Sequence, residues 1–158
     1  MDLKEPLKFI FSIVVCQIIG YLGTFFTVPA ISTWYATLNK PAFTPPNWLF
    51  MPAWTILFVL MGISLYLILK GDVNNKKIRW AIPVFSIQLV LNFLWSVIFF
   101  GLKSPIFAFI ELIFLWISIL LTIIVFYRIN KTSAYLLIPY ILWVTFAGVL
   151  NIAIWVLN

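Results

Sequence analysis

Residues 34–54 read WYATLNKPAFTPPNWLFMPAW and separate two long apolar runs of the chain. This segment holds four of the nine prolines and three of the eight tryptophans, which sets it apart from the aliphatic runs beside it. Proline fixes its own φ and disfavours helix at the preceding residue, so Pro41, Pro45 and Pro46 predict stiff, non-helical backbone. Long ordered loops are usually binding loops or lids, although tryptophan and tyrosine equally suit an anchor at a membrane surface.

The composition is typical of a membrane protein. Of the 158 residues, 65% are hydrophobic and only 9% are charged, against about 25% charged residues in soluble domains. The apolar runs do not alternate apolar with polar residues, as the strands of an outer-membrane barrel would. Each run has about the 20 residues that a membrane-spanning helix needs. We therefore predict one all-α domain over 1–158, a five-helix bundle with the first loop as lid and helices near 9–28, 49–69, 80–102, 105–127 and 134–157.

Helix boundaries are suggested by capping residues and by proline. Ser104 and Pro105 predict an N-cap and a first helical residue for the fourth helix. Thr132 and Ser133 are candidate caps for the fifth helix. Pro139 lies about a turn and a half into the predicted fifth helix, where it should bend the helix.

The charge pattern predicts an orientation rather than a nucleic-acid partner, although the net charge is +6. With five crossings, the N-terminus and the second and fourth loops lie on one side, and cytoplasmic segments are rich in Lys and Arg. The opposite side holds only Lys40 and Lys103. We therefore expect the N-terminus inside and the C-terminus outside a membrane, most simply the cytoplasmic membrane of a bacterium. The eight residues expected inside are Lys4, Lys8, Lys70, Lys76, Lys77, Arg79, Arg128 and Lys131.

Polar and aromatic residues share helical faces inside the predicted bundle. Trp54 and Phe58 begin such a face on the second helix, and Trp143 and Ala147 lie on one face of the fifth. An unpaired amide is costly in hydrocarbon, so the polar face of the third helix must look inward. These faces predict either a flat apolar pocket with a few donors or ordinary core packing tied by amides. The face on the third helix comprises Gln88, Asn92, Trp95 and Phe99.

Glu111 is the single acidic or basic residue deep in any run. A carboxyl group within a membrane is a functional candidate, but no histidine and no second carboxylate is available to relay a proton. We therefore expect Glu111 to tie the fourth helix to a neighbour, through Gln88 or Asn92. The sequence contains no carboxylate pair, cysteine cluster, Ser–His arrangement or glycine-rich phosphate loop in the runs, so we predict no metal site and no hydrolytic or phosphoryl chemistry.

Small residues at every fourth position mark one face of the first helix. Such residues let helices approach closely in lipid, where no hydrophobic force drives them together. Packing within the chain is the favoured interpretation, and a homodimer remains possible. Cys16 is the only cysteine, so no intrachain disulfide can form. The face comprises Ser12, Cys16, Gly20 and Thr24.

Three sequence blocks occur together, in order, along most of the chain. They are WYxxLxKPxFxPP from Trp34, LNFLWS from Leu91 and LLxPYxxWxxFA from Leu136. With these blocks the sequence resembles the TspO/MBR family, the tryptophan-rich sensory proteins that include the mitochondrial translocator protein. Phe43 stands where many members have tryptophan, which is a minor departure.

The resemblance implies a five-helix bundle whose pocket opens toward the first loop. It implies binding of porphyrins and haem-type tetrapyrroles, as ligands rather than required cofactors, and of isoquinoline carboxamide and benzodiazepine drugs. Mitochondrial members also bind cholesterol. Their recognition pattern needs a Lys or Arg after Tyr140, and this chain has none there, so sterol binding by that route is not expected.

The resemblance also implies roles for individual residues. Trp54 and Asn92 match the pair that hydrogen-bonds a ligand carbonyl or carboxylate, and Trp143 matches a second tryptophan that walls the pocket. Pro41, Pro45 and Pro46 belong to the lid. The further lining positions are Tyr35, Phe58, Trp95 and Ala147.

Three alternatives to a simple binding protein stay open at this point. The chain could be an enzyme that degrades porphyrin oxidatively in light, with Trp54 and Trp143 as the catalytic candidates. It could be a porphyrin carrier, or it could be a stress-signalling partner of another membrane protein. A pocket with two indoles serves binding, transport and chemistry equally, so the residues alone do not separate them.

Overall fold

The computed structural model describes residues 4–72 and 74–158, and within them it contains helices and no strands. Five of the helical segments are long and apolar enough to cross a membrane, with mean hydropathy between 1.9 and 2.7. This confirms the prediction of an all-α bundle with five crossings. In chain order the helices are α1 Lys4–Ile31, α2 Trp34–Thr37, α3 Asn47–Leu69, α4 Lys76–Ser96 with a π-helical turn Val97–Gly101, α5 Pro105–Tyr127, α6 Lys131–Tyr135 and α7 Ile138–Leu157.

The predicted bounds hold for α5 and are too short at the start of α1 and α4. Lysines open both helices, and their long stems let a charged head remain in water while the backbone is already helical. The side chain of Asn75 caps α4 by accepting from the backbone N–H of Lys77 at 2.9 Å. Pro105 lies in the first turn of α5 as predicted, whereas the Ser104 side chain makes no capping hydrogen bond.

The fifth crossing is broken rather than bent. α6 ends at Tyr135, and Pro139 lies in the first turn of α7, where a missing N–H loses no helical hydrogen bond. The prediction that Pro139 bends one continuous helix is therefore wrong. The predicted caps Thr132 and Ser133 are also wrong, since the Asn130 side chain accepts from the Ser133 backbone N–H at 3.0 Å.

The helices form a ring that is closed by small residues and hydroxyl groups. α1 packs on α3 and α4, α4 packs on α5, and α5 packs on α7. Ser12 and Cys16 of the small-residue face are fully buried within the chain, as expected for internal packing. The Ser64 and Ser133 hydroxyls lie 2.9 Å apart, and each donates to the other's backbone carbonyl, which fastens α3 to α6. α3 and α7 meet through aromatic side chains, Phe50 against Trp143 and Trp54 against Tyr140.

The first loop folds back over one end of the ring. After α2, a turn at Pro41 is closed by the backbone N–H of Thr44, which donates to the Pro41 carbonyl at 3.0 Å. Pro46 is extended and leads into α3. The Phe43 ring lies 6.4 Å from the Phe146 ring of α7, edge to face. We call this end, which the loop covers, the loop end of the bundle.

Candidate functional site

Four of the predicted site residues line one enclosed cavity in the middle of the bundle. Trp54 comes from α3, Asn92 and Trp95 come from α4, and Ala147 comes from α7. The cavity volume is about 10 Å³, which is room for about one water molecule. The side chains around it must therefore move before a macrocycle can enter. The remaining lining residues are Leu112, Leu115 and Val144.

Trp143 lines a larger, open groove between α3 and α7. The groove has a volume of about 420 Å³, which lies in the range of about 300–1,000 Å³ typical of small-molecule sites. Pro139, at the start of α7, is one of its lining residues. The other lining residues are Ala53, Ile56, Leu57, Leu142 and Phe146.

The groove and the cavity are separated by aromatic rings of α3 and α7. The Phe50 ring meets the Trp143 ring edge to face at 6.3 Å, and the Trp54 ring meets the Tyr140 ring in the same way at 6.3 Å. We call the contact between α3 and α7 the seam; it is formed by the rings of Phe50, Trp54, Tyr140 and Trp143. The two indoles lie on opposite helices of this seam, Trp54 toward the cavity and Trp143 toward the groove.

Hydrogen bonds distinguish the tryptophans around the site. Trp95 donates its indole N–H to Asn151 at 3.2 Å, and Asn151 in turn donates to the backbone carbonyl of Pro105 at 2.7 Å. The indole N–H groups of Trp54 and Trp143 make no hydrogen bond within the part of the chain that is described. A tryptophan in an apolar setting usually finds a partner for this donor. Trp54 and Trp143 therefore have a free donor for a ligand, and Trp95 does not.

Asn92 is already engaged by a residue that sequence reasoning did not assign to the site. Its side-chain amide donates to the Tyr140 hydroxyl at 2.9 Å, and both groups are buried. An amide carries a second N–H and an acceptor oxygen, so Asn92 keeps capacity for a ligand. Tyr140 precedes Trp143 by three residues and Ala147 by seven, which places all three on one helical face. That spacing was the available signal for Tyr140.

Phe58 and Tyr35 lie outside both spaces. The Phe58 ring covers Gly20 of α1, where an added Cβ would lie 2.5 Å from it. Tyr35 is buried at the loop end against Phe99, with ring centroids 6.3 Å apart. Burial raises the pKa of the Tyr35 hydroxyl. The structure thus places these two predicted lining residues in supporting positions, Phe58 behind Trp54 and Tyr35 beneath the loop.

The first loop is fastened to the loop end by specific polar contacts. The backbone N–H of Asn39 donates to the Asn158 side chain at 2.9 Å, and that side chain donates back to the Asn39 carbonyl at 2.9 Å. Asn39 also donates to the Leu157 carbonyl at 3.3 Å. Lys40 donates to the Tyr35 carbonyl at 2.7 Å and lies over the Tyr35 ring. The loop therefore covers the bundle, which favours a lid over an anchor that extends into the headgroups.

The expected tie between Glu111 and Gln88 or Asn92 is wrong. The carboxyl oxygens of Glu111 and both amide atoms of Gln88 are buried without a hydrogen-bond partner in the described residues. The Asn92 amide donates to Tyr140 and makes no hydrogen bond to Glu111 in the described residues. Glu111 immediately precedes Leu112, a lining residue of the cavity.

The fold defines a class: a five-crossing membrane protein, here with an aromatic groove between α3 and α7. The model of the TspO/MBR family matches residues 12–156. The chain belongs to the TspO/MBR family.

Relatives extend over most of the chain. It is 47% identical to the tryptophan-rich protein TspO of Archaeoglobus fulgidus over 153 residues, which cover 96% of this chain and 97% of that protein. Protein CrtK of Rhodobacter capsulatus is 37% identical over 145 residues, covering 92% and 89%. The translocator protein of Bos taurus is 33% identical over 138 residues, covering 86% and 81%.

Proposed function

We propose that this protein binds tetrapyrroles, porphyrins or haem-type molecules, at the seam between α3 and α7. The observation that carries the proposal is the pair of free indole donors, Trp54 and Trp143, on facing helices beside a groove of about 420 Å³. A tetrapyrrole is flat and largely apolar, and its side chains end in carboxylates. Aromatic rings stack on such a face, and an indole N–H donates to a carboxylate or carbonyl oxygen.

The same chemistry extends to isoquinoline carboxamide and benzodiazepine ligands, which combine flat aryl rings with one carbonyl oxygen. Trp54 or Trp143 would donate to that oxygen, and the second N–H of Asn92 is available for it. Binding must displace the ring contacts across the seam, because the closed cavity holds only about 10 Å³. The half-buried rings of this seam, rather than its helices, are expected to rearrange, whereas Tyr140 is buried and held by Asn92.

Filling the cavity tests this proposal. Ala147 lines the cavity, and Ala147→Phe places a ring in the space that the macrocycle must use. We expect Ala147→Phe to abolish saturable binding of protoporphyrin by purified protein, measured from porphyrin absorbance and emission. The matched control is Ala153→Phe on the same helix, at a half-buried alanine that lines neither space. Equal affinity in wild type and Ala147→Phe, with both folded, would contradict the proposed site.

We also propose that the protein lies in a bacterial cytoplasmic membrane with its N-terminus inside. The support is the excess of Lys and Arg on the side opposite the loop end. In a Cys16→Ser background, cysteine at exposed Asn74 or exposed Lys103 reports the two sides. We expect an impermeant thiol reagent on intact cells to label Lys103→Cys and to leave Asn74→Cys unlabelled. The reverse labelling pattern would overturn this orientation.

A further inference from the structure

The groove between α3 and α7 opens sideways, toward the lipid. Ile56 on α3 and Leu142 on α7 form its rims, and they are 60% and 63% exposed. Both belong to helices that cross the membrane, so the surface around them faces hydrocarbon. The groove reaches inward from this surface to Trp143. A molecule dissolved in the hydrocarbon layer can therefore contact the site without passing the first loop.

The loop end offers a route that is harder to open. Asn39 exchanges three hydrogen bonds with Asn158 and Leu157 at the end of α7. The rings of Phe43 and Tyr35 pack beneath the loop on α7 and on the π-helical turn. Lifting the loop would break these hydrogen bonds and expose apolar rings to water, which is unfavourable.

Fewer and weaker contacts join α3 to α7 at the seam than join the first loop to the bundle. Its two ring contacts, Phe50 with Trp143 and Trp54 with Tyr140, are edge to face and involve no hydrogen bond. The Ser64–Ser133 pair fastens α3 to α6 near the opposite end, so the rings can separate without detaching the helix. Lipid chains are as apolar as the rings they would replace, so separation in hydrocarbon carries no hydrophobic penalty.

We propose that ligands enter and leave this site from the hydrocarbon layer, through the groove between α3 and α7. The inference rests on the proposed function and adds the source and class of ligand: flat, membrane-partitioned molecules that arrive edge first. The loop then serves as a fixed cover over the loop end, while rotation of the three half-buried seam rings, Phe50, Trp54 and Trp143, admits the ligand. Charged, water-soluble molecules that do not partition into the bilayer are excluded.

Obstructing the groove tests the route. Leu142→Trp places a large ring at the rim, and Leu121→Trp is the matched control on the lipid-facing side of α5, where leucine is 51% exposed. Protein in lipid nanodiscs is mixed with protoporphyrin, and association and dissociation are followed by porphyrin emission. A blocked route slows both directions, so we expect Leu142→Trp to lower the association rate and the dissociation rate by about tenfold each. Because Leu142 also lines the groove, the slower dissociation, rather than Kd, is the readout of the route. We expect Leu121→Trp to behave as wild type.

A second pair of variants tests the same route in case one of the first variants fails to fold. Ile56→Trp obstructs the groove from α3, and Ile87→Trp is its control at an isoleucine that is 55% exposed on α4. Asn158→Ala removes the side chain that makes two of the three hydrogen bonds to the loop. Faster exchange in Asn158→Ala, with unchanged rates in both groove variants, would overturn the lateral route in favour of the loop. Dissociation that is as fast as in wild type or faster in Leu142→Trp and Ile56→Trp would also overturn it. Absence of porphyrin binding by the wild type would instead refute the proposed function.

Discussion

Replacing Gly62 with alanine is expected to push α1 away from α3 and to destabilise the bundle strongly. A Cβ at this position would lie 2.6 Å from the Cα of Ile13, a backbone atom that cannot move without its helix. Overpacking of a closely packed site costs about 1–3 kcal/mol, and contact with backbone places Gly62→Ala at the upper end of that range. The unfolding midpoint of purified protein in detergent, followed by thermal scanning, measures the effect.

Gly148→Ala is the matched control for this prediction. Its Cβ would meet the Cδ2 atom of Leu112 at 3.1 Å, the end of a flexible side chain. Alanine is favoured over glycine in a helix by about 1 kcal/mol, which offsets the small adjustment of Leu112. We therefore expect an unfolding midpoint close to wild type for Gly148→Ala. Equal midpoints for the Gly62 and Gly148 variants would show that the α1–α3 contact is looser than the structure indicates.

Replacing both Trp54 and Trp143 with phenylalanine is expected to weaken protoporphyrin binding by about 2 kcal/mol, since each lost hydrogen bond contributes about 1 kcal/mol. The aromatic face remains in each case, so the loss isolates the two N–H donors. Trp80→Phe, at a tryptophan that is 64% exposed and away from the seam, is the control and should bind as wild type. Unchanged affinity in the double variant would remove the indole donors from the site.

Illumination of the same variants separates binding from chemistry. Phenylalanine is a much poorer electron donor than tryptophan. If the two indoles take part in light-dependent degradation of porphyrin, the variants should lose product out of proportion to their loss of affinity. If they only bind, product and bound porphyrin should fall together. A wild-type protein that forms no protein-dependent product excludes the enzymatic alternative.

The five crossings were predictable because they depend on local composition. The run 105–127 coincides with α5, since Pro105 begins the helix and the polar residues from Arg128 onward end it. The break between α6 and α7 was predicted only as a bend at Pro139, because the run is otherwise apolar across residues 134–144. It accompanies contacts from elsewhere: the Asn130 cap and the hydroxyl pair that fastens Ser133 to α3.

Spacing in the sequence predicted which site residues share a helical face, but not which residues of different helices contact one another. Spacing placed Asn92 and Trp95 together on α4, and both line the cavity. Spacing could not show that Tyr140 engages Asn92, nor that Asn151 engages Trp95, because these partners lie 48 and 56 residues apart in the chain. The groove likewise depends on the separation of α3 from α7, a property of the whole bundle that no single segment encodes.

We propose that the free indole N–H groups of Trp54 and Trp143 are the donors that receive the ligand. Protein labelled with ¹⁵N at its tryptophans gives one indole N–H signal per residue, and the Trp→Phe variants assign them. On saturation with protoporphyrin, we expect the Trp54 and Trp143 signals to move to a hydrogen-bonded position, while the signal of Trp116, already bonded to Thr145 at 2.8 Å, stays in place. Movement confined to Trp80 and Trp116, with Trp54 and Trp143 unchanged, would contradict the account.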